Sequence, residues 1–120
     1  MNVNNLIDEF EYIQFVKENP FGIKMTYFDR FISVNQKDAF KCAKKLKEKT
    51  GLDWRVPTLE ELHWLVNNRI FKKYNTQHYR LLWSCEDADE TFGWTYGTDE
   101  SQTSCNKMSK VNVIYINTKD

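Results

Sequence analysis

The densest group of side chains that could do chemistry is the acidic run EDADE at residues 86–90. Ca²⁺ takes about six to eight oxygen ligands, and carboxylates supply them readily. The run lacks both the spacing and the glycine of an EF-hand loop, which favours a solvated acidic loop over a calcium site. We therefore expect no bound metal.

Histidine and cysteine are the other residue types that form catalytic and metal sites, and the chain has His63, His78, Cys42, Cys85 and Cys105. They form no HxxxH, HExxH or CxxC pattern, so neither a zinc enzyme nor a zinc knuckle is indicated. An odd number of widely spaced cysteines is typical of reduced thiols and favours a cytoplasmic location. We expect no catalytic residue, no cofactor and no enzymatic activity.

The segment GWTYG at residues 93–97 combines two glycines with two large rings. It is too short and wrongly spaced for a phosphate-binding glycine loop. Two interpretations of Trp94 and Tyr96 remain open: core residues of a strand, or rings exposed to a sugar or to a protein partner.

The charges balance at 17 Lys+Arg against 17 Asp+Glu, whereas a dedicated nucleic-acid binder needs surplus cations. Direct nucleic-acid binding is therefore not expected. The distribution is uneven, because residues 37–49 hold six lysines and residues 84–106 hold acids without a Lys or Arg. No signal peptide is recognisable at the N-terminus, and the apolar runs are too short to cross a membrane.

The elements that must position these residues begin with a predicted helix over residues 5–18, where Leu6, Phe10, Ile13 and Val16 recur near helical spacing. Residues 22–34 are rich in β-branched and aromatic side chains, which predicts one or two strands that turn near Asp29.

A second helix is predicted after Asn35, the expected N-cap, and it ends at Gly51. Its apolar stripe consists of Ala39, Cys42, Ala43 and Leu46. This position makes Cys42 a small core residue rather than a nucleophile.

A third helix begins at a capping box, in which Thr58 and Glu61 exchange side-chain and backbone hydrogen bonds. Its stripe of Leu59, Leu62, Leu65 and Val66 ends at Asn67. Short strands follow over residues 81–83, 92–96 and 111–116, and the last is apolar on both faces, as is typical of a central strand. Helices followed by short strands predict an α+β fold.

Residues 53–62, DWRVPTLEEL, resemble the DWRLPT..EL signature of bacterial and phage domains of the DUF1566 or Lcl C-terminal type. Residues 38–46 resemble the helix that precedes this signature in the family, and residues 82–85, LWSC, resemble its later YWSS strand. The formylglycine-generating, sulfatase-modifying domains are more distantly similar. The structural signature comprises Trp54, Arg55, Pro57, Thr58, Glu61, Leu62 and Trp83.

The resemblance covers about residues 23–117 and implies a C-type-lectin-like fold. Two core helices would pack on short, mostly antiparallel strands, with residues 1–20 as an added helical extension and residues 21–120 as the domain. We expect residues 53–62 to have a structural rather than a catalytic role. Trp54 fills space between the helices and the sheet, and Pro57 fixes the chain before the N-cap of the third helix. Arg55 binds backbone carbonyls or a carboxylate, either Glu61 or an acid of the later loops.

Departures from the relatives argue against their ligand chemistry. The EPN or QPD loop and WND strand of calcium-dependent lectins are absent from the sequence. Cys85 and Cys105 lack the context of the cysteine pair in formylglycine-generating enzymes, so copper-dependent oxidation is not implied. Residues 113–116, VIYI, replace the family's vRcV-like strand, which removes the case for a disulfide to Cys42.

By the resemblance, the loops of residues 84–108 form the binding face. The candidate binding residues are Glu86, Asp87, Asp89, Glu90, Trp94, Tyr96, Asp99 and Glu100. Aromatic anchors among charges suit a protein interface. The hypothesis is a non-catalytic protein-binding module, of the kind a phage or mobile element uses to inhibit a host protein, with a basic surface on the partner. The alternative is a lectin-like module that binds a carbohydrate or another small ligand.

Overall fold

A computed structural model describes residues 12–70 and 80–119 of the chain, and there it forms one sheet with a helix on each face. In chain order the elements are β1 (Ile13–Phe15), β2 (Met25–Val34), α1 (Gln36–Thr50), α2 (Leu59–Asn67), β3 (Leu81–Asp87), β4 (Phe92–Gly97), β5 (Gln102–Asn106) and β6 (Val111–Asn117). The predicted α+β class is confirmed.

The six strands lie in the order β1-β2-β6-β3-β4-β5. Neighbouring strands are antiparallel except β3 and β6, which are parallel, so the sheet is mixed. β6 lies inside the sheet between β2 and β3, and almost all of its side chains are buried. The prediction that this strand is central and buried on both faces is confirmed.

The two helices cover opposite faces of the sheet. Val113 and Tyr115 of β6 belong to the same buried cluster as the apolar side chains of α1. Ile114 and Ile116 belong to a second cluster with Leu62 and Leu65 of α2. Because successive side chains of a strand point to opposite faces, β6 separates the α1 side of the core from the α2 side.

The predicted boundaries of α1 are confirmed. The side chain of Asn35 accepts a hydrogen bond of 2.8 Å from the backbone N–H of Asp38 at the first turn. Gly51 ends the helix at φ 75°, in the left-handed region where glycine is unstrained, and its N–H donates to the carbonyl of Lys47. Cys42 packs against the core as predicted, although it is only half-buried.

The capping box of α2 is also confirmed. Thr58 Oγ1 accepts from the Glu61 N–H at 3.2 Å, and Glu61 Oε1 accepts from the Thr58 N–H at 2.8 Å. The helix ends at Asn67, with Asn68 as its C-cap. Reciprocal capping fixes where α2 begins and therefore how Leu62 and Leu65 enter the core.

The predictions for the two edge strands of the sheet need correction. The helix predicted over residues 5–18 is wrong in its described part, because Ile13–Phe15 is β1 and pairs with β2; residues up to 11 lie outside the described residues. Ile13 is buried in the α1-side cluster by this pairing, which overrides the helical spacing. The boundary at residue 20 stays a prediction. Of the one or two strands predicted over residues 22–34, the structure has one, β2, with a register irregularity between Phe28 and Ser33. β5 was not predicted.

Candidate functional site

The residues of the structural signature hold the scaffold together. Trp54 is buried in the α1-side cluster and its Nε1 donates to Thr50 Oγ1 at 2.9 Å. Trp83 is fully buried and its Nε1 donates to the carbonyl of Val34 at 2.8 Å. The carbonyl of Pro57 accepts from the N–H of Cys85 and so ties the start of α2 to β3.

Arg55 and Glu61 form a two-point ion pair, with Nη1 to Oε1 at 2.8 Å and Nη2 to Oε2 at 2.7 Å. Of the partners expected for Arg55, which were backbone carbonyls or a carboxylate, the structure shows the carboxylate of Glu61. Burial raises the pKa of Glu61, but hydrogen bonds from Arg55 and Thr58 outweigh burial and hold that pKa below 4.5. The pair therefore stabilises the scaffold while it is ionised.

The acids at the end of β3 also serve the fold. Glu86 Oε2 accepts a hydrogen bond of 2.7 Å from the N–H of Leu59, the first residue of α2. Asp87 accepts from Gln36 Nε2 at 2.7 Å and forms an ion pair of 3.3 Å with Lys107. The hydrogen bond from Gln36, followed by Lys107, lowers the pKa of Asp87.

The turn between β3 and β4 is capped by Asp89, whose Oδ1 accepts from the N–H groups of Thr91 and Phe92, each at 2.8 Å. Glu90 is exposed, and its side chain makes no hydrogen bond to any other described residue. Of the acids in this turn, Glu90 has the carboxylate most available to a partner.

Asp99 and Glu100 lie at the opposite end of β4. Asp99 Oδ1 accepts from both the N–H and the hydroxyl of Ser101, and Glu100 has φ 67° in the tight turn before β5. A six-residue strand spans roughly 20 Å. The candidate acids therefore do not form one face: Asp99 and Glu100 are separated from the other four, because part of the predicted loop is the hairpin of β4 and β5.

Trp94 and Tyr96 lie on the α2 face of β4. Tyr96 is buried, and its hydroxyl is 2.5 Å from Nδ1 of His63 on α2. Trp94 is half-buried. The core interpretation therefore holds for Tyr96, while Trp94 retains some access to solvent. His78 lies outside the described residues.

Six large hydrophobic side chains are exposed among the described residues. Five of them lie on segments that are continuous in the chain or joined by backbone hydrogen bonds: the end of β2, the start of α1, and the turns at Thr91 and Lys107. These five are Phe31, Ile32, Phe40, Phe92 and Met108, which we call the apolar end. The sixth, Phe15, lies on β1. The sequence contained one signal for this surface. Phe31 and Ile32 are both bulky and apolar, and as adjacent strand residues they point to opposite faces of the strand, so the strand is apolar on both faces here.

A groove of about 450 Å³ runs beside α2. Its walls include the rings of Phe21, Trp64 and Tyr96, and its polar side chains include those of Glu60, His63 and Gln102. Sequence reasoning missed it, because its residues come from a loop, a helix and two strands. Such a volume is typical of small-molecule sites.

Within residues 12–70 and 80–119, no three histidine, cysteine or acidic side chains meet in a way that could hold a metal ion. All three cysteines are free thiols. Neither described helix is long and apolar enough to cross a membrane.

No family model matches the sequence. The chain is similar to Protein arg-6, mitochondrial, of Neurospora crassa, with 27% identity over 103 residues. The match covers 84% of this chain and 11% of that protein, so the chain spans about a tenth of the curated relative.

Proposed function

We propose that the chain is a non-catalytic protein-binding module and that the apolar end is its contact surface. The observation that carries this proposal is the presence of five exposed hydrophobic side chains on segments that hydrogen bonds join to one another, next to the acidic turn of residues 86–90. Exposed hydrophobic side chains that group together, rather than lie singly, mark interaction sites.

Hydrogen bonds join the segments that carry these side chains. The N–H of Gln36, at the start of α1, donates to the carbonyl of Lys107, next to Met108. The N–H of Lys107 donates to the carbonyl of Thr91, next to Phe92. Asn112 Nδ2 donates to the carbonyl of Ile32 at 2.8 Å. The apolar end is therefore assembled on a fixed backbone frame, which limits the ordering cost of binding.

Phe31 and Met108 are its most exposed members, at 75% and 78%. A ring and a flexible thioether of this kind serve as anchors in a partner's pocket. Glu90 and Asp89 border the surface with negative charge, which would steer a partner with a basic rim. Asp87 contributes less to this field, because Lys107 is bound to it.

We further propose that the chain is a C-type-lectin-like domain of the DUF1566 type, encoded by a phage or mobile element, and that it inhibits or modulates a host protein in the cytoplasm. Two observations support the C-type-lectin-like assignment. Strand β2 pairs with β6, and both helices lie between β2 and β3 in the chain. The uneven distribution of charge along the chain supports binding to a protein. The three free thiols support a location in the cytoplasm.

A pull-down from lysate of the source cell, followed by quantification of the partner's stoichiometry, tests the function. The double variant Phe31→Ser/Met108→Ser should lose a partner that the wild type retains. Phe15→Ser is the matched control, because Phe15 is also exposed, at 48%, but lies on β1.

Equal retention by the double variant, or loss with Phe15→Ser alone, would contradict the proposed surface. Binding to glycans without any protein partner would overturn the function in favour of a carbohydrate-binding module.

A further inference from the structure

We propose that the groove between α2, the loop at Phe21 and the β4–β5 hairpin binds an organic cation, through the rings of Phe21 and Trp64 and the carboxylate of Glu60. This site is separate from the apolar end and goes beyond the proposed protein-binding function.

The floor of the groove is preformed. Tyr96 and Gln102 are opposite each other in the pairing of β4 with β5, so both side chains point to the α2 face. The Tyr96 hydroxyl meets His63 of α2, and the two rings lie edge to face with centroids 5.7 Å apart. Because the strand and the helix are fixed to each other here, the groove does not need to form upon binding.

The charge of the groove selects the ligand. Glu60 lines it, whereas no Lys or Arg does so among the described residues. Burial, and then the negative charges of Glu100 and Asp99, raise the pKa of Tyr96. The acids of the β4–β5 turn therefore extend a negative potential to the floor, which disfavours anions and favours cations.

The rings supply the second half of the recognition. Phe21 and Trp64 are half-buried, so part of each ring remains accessible in the groove. An ammonium group over an aromatic face is attracted by the ring quadrupole, most strongly over Trp. The volume of about 450 Å³ admits an ammonium with an apolar body rather than a bare inorganic ion.

Three soluble probes of similar shape but different charge distinguish the contribution of charge to binding from that of hydrophobic contact. They are the cation choline, the neutral 3,3-dimethylbutan-1-ol and the anion 3,3-dimethylbutanoate. Binding to the full chain is followed by NMR, through the indole N–H signal of Trp64 and the backbone N–H signals of residues around the groove. We expect choline to bind about fivefold more tightly than the neutral probe, and the anion to bind most weakly.

Two variants test the residues named. Trp64→Leu should weaken choline binding about fivefold, and Glu60→Gln should reduce the preference for choline over the neutral probe. Glu48→Gln, an exposed helical glutamate on α1, is the charge-matched control and should change neither value.

Equal affinity for choline and the neutral probe, or choline-induced shifts confined to residues away from the groove, would overturn the proposal. A wild-type pull-down that recovers no protein partner, together with an intact choline site, would instead overturn only the protein-binding function, so the two proposals fail separately.

Discussion

Glu86 at the end of β3 caps α2 by accepting a 2.7 Å hydrogen bond from the N–H of Leu59. The carboxylate thereby faces the positive end of the helix dipole and satisfies a backbone donor that has no partner within the helix. A residue that sequence reasoning placed in a binding surface thus joins the sheet to a helix.

Glu86→Gln should lower the free energy of unfolding by about 0.5–1 kcal/mol, because the charge at the helix N-terminus is lost. Urea denaturation measures the change. Glu90→Gln is the control, since its carboxylate makes no hydrogen bond to another described residue. An equal effect of the two substitutions would show that the contact with Leu59 contributes nothing.

Glu61→Gln should destabilise the protein by about 1–3 kcal/mol near neutral pH, because a buried acceptor of Arg55 and Thr58 is weakened. The value falls toward the low end of that range because Arg55 is 45% exposed and solvent screens its charge.

This contribution also has a defined pH dependence. The pKa of Glu61 is held below 4.5, so the unfolded chain binds the proton more readily than the folded chain. The stabilisation is therefore complete above pH 4.5 and is lost as the pH falls through the lower, folded-state pKa. Denaturation of the wild type and Glu61→Gln at several pH values should show their difference shrinking below pH 4.5. A constant difference at all pH values would contradict this assignment.

Gly93→Ala should destabilise the protein by about 1–3 kcal/mol through overpacking. An added Cβ would lie 2.7 Å from Gln36 Nε2 and 3.0 Å from Trp83 Cζ3. Gln36 is held by its 2.7 Å hydrogen bond to Asp87 and cannot move away without losing it. In a Gln36→Ala background the cost of Gly93→Ala should be smaller, and thermal unfolding of the four proteins measures the coupling. Strictly additive effects would rule out a clash with Gln36.

Glu100→Gly should stabilise the protein by about 1 kcal/mol, because Glu100 has φ 67°, where a side chain is strained and glycine is not. Glu100→Ala keeps the strain and removes only the carboxylate, so it is the matched control. Melting temperatures should rise for the glycine variant relative to the alanine variant. A lower melting temperature for the glycine variant would show that the turn does not carry this strain.

Helices α1 and α2 were predictable because local side-chain hydrogen bonds and a glycine determine where they begin and end. Asn35, Gly51 and the Thr58–Glu61 capping box act over a few residues, so no knowledge of the tertiary structure is needed to place them. β6 was equally clear, since its continuous apolar run requires burial on two faces. β1 and β5 were not, because each is a short edge strand whose conformation depends on pairing with a neighbour.

The site was less accessible to sequence reasoning than the fold. Glu61 was one of several partners that the sequence offered for Arg55, because only six residues and one helix start separate the two. The acids of residues 86–100 were predicted to form one face, whereas β4 places Asp99 at the opposite end from Asp89. That separation follows from the hairpin with β5, whose sequence QTSCN has little β-propensity of its own.

The central position of β6 has a consequence for how the chain is made. A ribosome delivers β2 and β3 before β6, yet β6 joins them, pairing Met25 with Asn117 and Leu82 with Asn112. During synthesis the β1–β2 hairpin and the β3–β4–β5 meander therefore emerge as two separate pieces. The apolar surfaces that enclose β6 in the folded protein therefore lack their central strand until β6 leaves the ribosome and completes the sheet.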